Sequence, residues 1–309
     1  MYIMIVNPVA GNGKAIRLFQ CIQKEPLYKK ENCRSFLTEE SGHAERLALQ
    51  VTKIHHESLK GIIVLGGDGT LHEVVNGIRN YPDTPVCFIP AGSGNDFARG
   101  ISIKKRGLKL FRSYMGNPKK SKVFLANYSL NNRKKHGSRT FMNGIGFGLD
   151  GVVVATANQQ KYRSWTRRLH ITKLTYPLAL LRSISKSEAI QFELFLDGKQ
   201  VNINQAMMVT ITNHPYYGGG MRIAPKAKIR SKGLSVLIVK PISKKKLLAM
   251  FISVFLGQHT KMKEVEEWKA SSVHISSGHP LPFQADGESG TCFECSIKKA
   301  ETSTTFYLD

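Results

Sequence analysis

Gly61-Ile62-Ile63-Val64-Leu65-Gly66-Gly67-Asp68-Gly69-Thr70 is the stretch that decides the fold. Ile62 to Leu65 shows no alternation of polar and apolar positions, so both faces of this strand are covered, as in the centre of a parallel sheet. Glycines stop the strand, and Leu71–Ile78 continues as a helix. The same strand–loop–helix unit recurs on either side. Tyr2–Val6 is a short β-rich run ended by Asn7-Pro8, and Lys14–Gln23 sets Ile16, Phe19 and Ile22 three apart, as on one helix face. Arg34–Leu37 reads as a strand, His43–Ile54 as a helix with Leu47, Val51 and Ile54 on one side, and Val86–Ile89 as the next strand. Strands alternating with helices imply right-handed crossovers and a doubly wound, mostly parallel sheet.

Beyond residue 122 the pattern changes. Val123–Tyr128, Thr140–Ile145, Ile190–Leu196, Ala206–Thr212, Leu234–Val239, Val273–Ser276 and Phe293–Ile297 all read as strands. Asp197-Gly198 is a hairpin turn signal. Residues 155–186 and Lys244–Leu256 read as helices. The expected class is therefore α/β: an N-terminal doubly wound domain over 1–122, then an antiparallel β domain with inserted helices over 123–309. The basic segment Met115–Lys122 marks the boundary, and the last residues are free to return to the first domain.

The net charge of the 309 residues is +23, and it is unevenly spread. Residues 101–250 hold 29 basic and 4 acidic side chains, whereas residues 1–100 hold 11 and 10. No carboxylate occurs between Gly198 and Lys263. Such one-sidedness calls for an anionic partner. Lys161-Tyr162-Arg163-Ser164-Trp165-Thr166-Arg167-Arg168 mixes cations with interfacial aromatics, and Lys244-Lys245-Lys246 precedes an apolar run. Both favour a membrane surface over nucleic acid. That run, Leu247 to Leu256, is ten residues long and contains Ser253, against the roughly 20 a membrane span needs. Five cysteines make no disulfide framework, and no signal peptide opens the chain, so a reduced, cytoplasmic setting with peripheral membrane association is expected.

Three glycine-rich loops follow strands of the first domain. Asn7-Pro8-Val9-Ala10-Gly11-Asn12-Gly13-Lys14 is not a Walker A loop, because its glycine spacing differs and Ala15 follows Lys14. Small residues still let a ligand approach the backbone, and the helix behind offers free N–H groups. Gly66-Gly67-Asp68-Gly69-Thr70 puts a carboxylate among glycines at the carboxyl end of a strand, where open α/β sheets bind ligands. Amides for phosphate and an oxygen for Mg²⁺ suit a nucleotide there. Pro90-Ala91-Gly92-Ser93-Gly94-Asn95-Asp96 adds a second carboxylate. Taken alone, any one of these loops is most simply a turn.

Together with Gly144-Ile145-Gly146-Phe147-Gly148-Leu149-Asp150 and Gln284-Ala285-Asp286-Gly287-Glu288, the three loops resemble, in order and over nearly the whole chain, the catalytic unit of diacylglycerol kinase-like lipid kinases. This soluble bacterial group is related to diacylglycerol, sphingosine and ceramide kinases. Gly-Gly-Asp-Gly-Thr by itself is shared with NAD kinases and phosphofructokinases; the ordered set of five is specific. The resemblance implies a two-domain kinase using ATP and Mg²⁺, with its active site between domains. It assigns ATP to Asn7, Val9, Ala10, Gly11, Asn12, Gly13, Lys14, Thr38, Gly66, Gly67, Asp68, Gly69, Thr70, Leu71 and His72, and to Ser93, Asn95 and Asp96. Ser93 stands where the family often has threonine. Asp68 is expected to act in catalysis near the Mg²⁺ of ATP, and Glu288 to deprotonate the lipid hydroxyl. The expected partners are a lipid substrate and an anionic membrane, not nucleic acid; homodimerisation is left open.

One departure stands out. The family usually carries an acidic segment after its Ala-Pro motif, which binds a structural Mg²⁺. Residues 224–236 here contain no carboxylate, so that site is expected to be lost. Activity then tolerates the loss, a cation such as Lys232 replaces the charge, or the kinase is weak or altered. Two rival readings remain: an NAD kinase-like phosphotransferase, and a degenerate kinase fold serving as a membrane or nucleic-acid adaptor. Cys292 and Cys295 lack the further ligands of a zinc site, His55-His56 reads as a solvated helix face, and Gly218-Gly219-Gly220 as a flexible loop or a bulged turn.

Overall fold

A computed structural model describes residues 1–131, 137–159, 179, 180, 182–184 and 188–309. Two compact units emerge: Met1–Leu125 with Ala300–Asp309, and Ala126–Lys299.

The first unit runs β1 (Tyr2–Val6), α1 (Ala10–Gln23), α2 (Pro26–Lys30), β2 (Cys33–Leu37), α3 (His43–His55), β3 (Gly61–Gly66), α4 (Asp68–Gly77), β4 (Val86–Pro90), α5 (Asp96–Gly100), α6 (Gly107–Met115) and β5 (Lys119–Val123). The C-terminal strand Thr304–Leu308 completes a six-stranded sheet between β4 and β5. The order β2-β1-β3-β4 is parallel, and β5 is antiparallel to the C-terminal strand. The expected doubly wound sheet is present. From β1 the chain winds first to β2 and later returns on the other side as β3, so the switch point lies between β1 and β3. Ligand crevices form at such points. Every residue of β1 and β3 is buried, which explains the unbroken apolar runs. Tyr114 of α6 sits in this core with its hydroxyl donating to Phe88 O at 2.9 Å.

The second unit runs β6 (Ala126–Leu130), β7 (Arg139–Phe141), β8 (Gly144–Gly148), α7 (Leu149–Asn158), β9 (Ile190–Gln191), β10 (Glu193–Leu196), β11 (Lys199–Gln200), β12 (Gln205–Ala206), β13 (Met208–Thr212), β14 (Leu234–Val239), α8 (Lys244–Val254), β15 (Val265–Ala270), β16 (Ser272–Ala285) and β17 (Glu288–Lys299). Its main sheet is antiparallel in the order β15-β14-β13-β8-β16-β17-β6-β7. The first half of β16 pairs with β10, and its last residues pair with β8. A register break between Ser276 and Leu281 separates the two halves, as a bulge does when it bends a long strand. The Asp197-Gly198 hairpin forms as expected, with φ of 49° and 78°.

Several expected elements divide. Val123–Tyr128 splits into β5 and β6, which belong to different sheets. Part of the expected boundary segment Met115–Lys122 is strand, since β5 starts at Lys119. Thr140–Ile145 breaks at Met142-Asn143, where both amides bind a side chain instead of a strand. Ile190–Leu196 divides between a two-stranded sheet and the main sheet. Most of the expected helix 155–186 and the basic segment 161–168 lie outside the described residues. Gly218, Gly219 and Gly220 all have positive φ and form a turn closed by Tyr217 and Met221.

Candidate functional site

In the first unit the three glycine loops leave the carboxyl ends of β1, β3 and β4 and meet backbone to backbone. Gly11, Asn12 and Gly13 are left-handed, with φ of 59°, 56° and 79°, and the regular helix starts only at Lys14. A Cβ on Gly11 would lie 2.1 Å from the carbonyl oxygen of Ala91 in the third loop. A Cβ on Gly92 would lie 2.6 Å from Gly67 Cα in the second. These glycines are there because the chains touch at positions where no side chain fits.

Side chains lock the cluster. Asn7 Nδ2 donates to Thr70 Oγ1 at 3.0 Å, joining the first loop to the second, and Asn7 Oδ1 accepts from the Val9 amide at 3.2 Å. Asn95 folds over its own loop, accepting from Gly92 N at 3.0 Å and donating to Gly92 O at 2.7 Å. Asp68 reaches from the second loop to the third: its carboxylate oxygens accept from the amides of Asp96 and Phe97, each at 3.1 Å. Asp96 pairs with Arg99 at 2.7 Å. Thr38 sits at the end of β2, with its amide donating to Val6 O at 2.8 Å.

Of the residues expected at a nucleotide, Val9, Asn12, Lys14, Gly69 and Ser93 are exposed, and Ala10, Gly11, Gly13, Gly67 and Asn95 are partly so. Gly66, Thr38, Thr70, Asp96, Leu71 and His72 are buried. Leu71 and His72 lie on α4. Asp68 also differs from a free ligand, because both its oxygens hold amides.

In the second unit the Asp286-Gly287 turn joins β16 to β17, with φ of 48° and 93°. Glu288 follows it, exposed at the start of β17. The turn is fixed from below. Asp286 accepts from the amides of Met142 (2.7 Å), Asn143 (2.9 Å) and Gly144 (3.2 Å), which is why the strand breaks there. Gln284 Oε1 accepts from Gly287 N at 3.0 Å, and Asn158 Nδ2 donates to Gly287 O at 2.9 Å.

Two buried polar groups surround this turn. Asp150, at the head of α7, accepts from the Tyr217 hydroxyl at 2.9 and 3.0 Å and from Thr210 at 3.4 Å. Gln284 Nε2 donates to the same hydroxyl. Burial pushes the Asp150 carboxyl up to about 7, although Tyr217 and Thr210 pull it down. A Cβ on Gly146 would lie 1.7 Å from Asp150 Oδ2, so this glycine makes room for the carboxylate. The other group is Asn143, Asn213, His214 and Lys299. His214 Nε2 bonds Asn143 Oδ1 at 2.9 Å, and Lys299 Nζ donates to Asn213 Oδ1 at 2.8 Å. Burial pulls His214 down to about 4, leaving it neutral, and Lys299 down to about 8.

Sequence reasoning missed His214, Asn213 and Lys299, which carry no motif; the polar residues on either side of a strand end were the only signal. Lys232 and Arg230 are exposed. Burial pushes the Cys292 thiol up to about 12, far from a metal-binding thiolate.

Residues 1–126 match the family model of the diacylglycerol kinase catalytic domain, and residues 143–297 match that of the YegS C-terminal NAD kinase beta sandwich-like domain. The chain is 37% identical over 289 residues to a Bacillus subtilis (strain 168) protein named "Putative lipid kinase YtlR", covering 93% of each. It is 27% identical over 293 residues to a diacylglycerol kinase of Staphylococcus aureus (strain Newman), covering 93% of this chain and 85% of that one. A crystal structure described as "a putative diacylglycerol kinase from Bacillus anthracis str. Sterne" shares the fold, with a TM-score of 0.78 at 22% identity, covering 100% of this chain and 95% of that one. Matched in order by both models, and more than a third identical to a relative over nearly its whole length, the chain belongs to the diacylglycerol kinase-like lipid kinase family.

Proposed function

We propose that this kinase-family chain transfers the γ-phosphoryl group of MgATP to the hydroxyl of a membrane lipid, diacylglycerol or a close relative. The observation that carries the reading is the backbone-to-backbone meeting of three glycine loops at the switch point of a parallel sheet. Such a surface presents N–H groups without side chains in the way, which suits a polyphosphate. The run Gly11-Asn12-Gly13 is left-handed, and the exposed Lys14 beside it adds a cation. Thr38 and Ser93 are assigned to the nucleotide as hydroxyl donors.

Phosphoryl transfer consists mostly of positioning and charge neutralisation. Asp68 serves the reaction by holding the third loop against the second. Mg²⁺ binds through one or two carboxylates plus substrate phosphates, and no group of three or more His, Cys, Asp or Glu among the described residues could hold a metal by itself. The ion therefore enters with the substrate phosphates, and Asp68 is the carboxylate assigned beside it. Glu288 is assigned as general base. It is exposed and follows a turn whose own carboxylate, Asp286, holds the amides of Met142, Asn143 and Gly144. The acceptor hydroxyl would give its proton to Glu288 as its oxygen attacks the γ-phosphorus, and ADP would leave.

The charge distribution and the relatives' names support a lipid over a soluble acceptor. No helix among the described residues is long and apolar enough to cross a membrane; the net charge of +23 is the feature that favours a visit to an anionic bilayer. The test is transfer of label from γ-³²P-ATP to a panel of diacylglycerol, ceramide, sphingosine and monoacylglycerol in anionic mixed micelles. Label in one lipid class supports the reading; label only in a soluble acceptor such as NAD opposes it.

A further inference from the structure

The helix α8 is apolar on two faces, whereas a surface helix of a folded domain needs only one. Leu247, Met250, Phe251 and Val254 are buried in the core of the second unit. Leu248, Ile252, Phe255 and Leu256 follow the other spacing, and their exposures are 40, 68, 54 and 70%. Phe255 keeps helical dihedrals, and the Leu256 amide still bonds Ser253 O at 3.1 Å, so the stripe continues through the end of the helix. Four of the eleven large exposed hydrophobics among the described residues fall within these nine positions. A patch of that density marks an interaction surface.

Its rim is cationic. Lys244 and Lys245 are exposed at the head of α8. Arg222 is exposed at the other end, beside Gly257, with its amide on Val254 O at 3.3 Å. Lys261 is exposed just beyond. The segment from Gly198 to Lys263 has no carboxylate, and Glu264, the next one, is held by Lys246 at 2.7 Å. A second copy docking on this face would bring like charges together. An anionic bilayer meets both features: acyl chains take the apolar stripe and headgroups take the cations.

We infer that the exposed face of α8 is a membrane anchor, with Leu248, Ile252, Phe255 and Leu256 inserting at the headgroup boundary and Lys244, Lys245 and Arg222 gripping anionic headgroups. The inference rests on the lipid-kinase reading for its choice of partner, since an enzyme acting on a bilayer-borne hydroxyl must reach the bilayer. The test is co-sedimentation of the full chain with phosphatidylglycerol–phosphatidylcholine vesicles and with phosphatidylcholine alone, for the wild type and for Ile252→Ser/Leu256→Ser. Both side chains are exposed, so the melting temperature should not move. Binding of the wild type should require phosphatidylglycerol, and the double variant should lose at least about tenfold in partition coefficient, the loss of burying two large side chains. Turnover of a soluble, short-chain diacylglycerol should be unchanged. Ile252→Trp should shift its emission to the blue on adding anionic vesicles. Equal binding by wild type and variant, or an unmoved Trp emission, would overturn the anchor. So would a wild-type dimer that the double substitution splits, which would assign the face to a second copy. Absent turnover on every lipid would defeat the kinase reading, yet the vesicle result would still decide the anchor.

Discussion

Replacing Asp68 by alanine strips the acceptor from two backbone amides, those of Asp96 and Phe97. Hydrogen bonds to a charged partner contribute about 1.5–3 kcal/mol each, and water replaces part of that at a half-buried site. A loss of about 3 kcal/mol for the pair is the working figure, at the low end of that range. For a unit of this size that corresponds to a fall in Tm of roughly 10 °C. Asp68→Asn keeps one acceptor and turns an NH2 toward the other amide, so it should lose more than half as much. Both variants release the third loop from the second, and affinity for a fluorescent ATP analogue should fall by roughly tenfold or more, about 1.4 kcal/mol. The assay is a thermal melt by circular dichroism beside a nucleotide titration on the same preparations. If Asp68 acted only as a ligand for metal or phosphate, alanine would leave Tm in place, or raise it by removing a charge. An unchanged Tm would therefore refute the clamp.

Three further outcomes follow from the geometry. Glu288→Gln keeps the shape of an exposed turn residue and removes the base, so kcat should fall about 10²-fold or more with ATP affinity unchanged; an unaltered kcat would move the base elsewhere, Asp150 being next. Gly11→Ala forces a Cβ toward Ala91 O at a left-handed position, which costs about 1–2 kcal/mol for the backbone before any clash, so nucleotide binding should weaken while lipid-vesicle binding stays, and equal loss of both would show general unfolding. Asp150→Asn tests the buried carboxyl: its folded pKa of about 7 lies above the ordinary 3.8, so the native state binds the extra proton and loses stability as pH rises from about 4 to 7. The variant lacks that slope, and its stability relative to wild type should improve across the window by up to ~4 kcal/mol. His214 has the opposite slope between about 4 and 6.5 and is common to both proteins, so urea melts of the pair at pH 5 and 8 isolate Asp150; a constant difference would contradict the shift.

What could be read from the sequence was local. The three loops announce themselves because glycine clusters follow apolar runs, and a strand buried on both faces needs no partner to be recognised. Helix α6 escaped notice because Lys109 and Arg112 break up the run that its buried Leu110, Phe111, Tyr114 and Met115 would otherwise make. The C-terminal strand is five residues long, and only its pairing with β4 and β5 gives it a place. The grip of Asp286 on Met142, Asn143 and Gly144 spans more than 140 positions, so no spacing rule reports it, and it breaks the strand expected over Thr140–Ile145. Asp68 shows the converse. Its motif was legible, but that both oxygens hold amides of the third loop could be seen only once the loops were brought together.

The glycine-loop unit is proposed to deliver phosphate from ATP to a lipid. One vessel tests it most directly: the full chain, Mg²⁺ and γ-³²P-ATP, with diacylglycerol in anionic vesicles and NAD offered together, and both products separated and counted. Labelled phosphatidic acid, no labelled NADP, and loss of the lipid label with Glu288→Gln are expected. Labelled NADP with unlabelled lipid would contradict it.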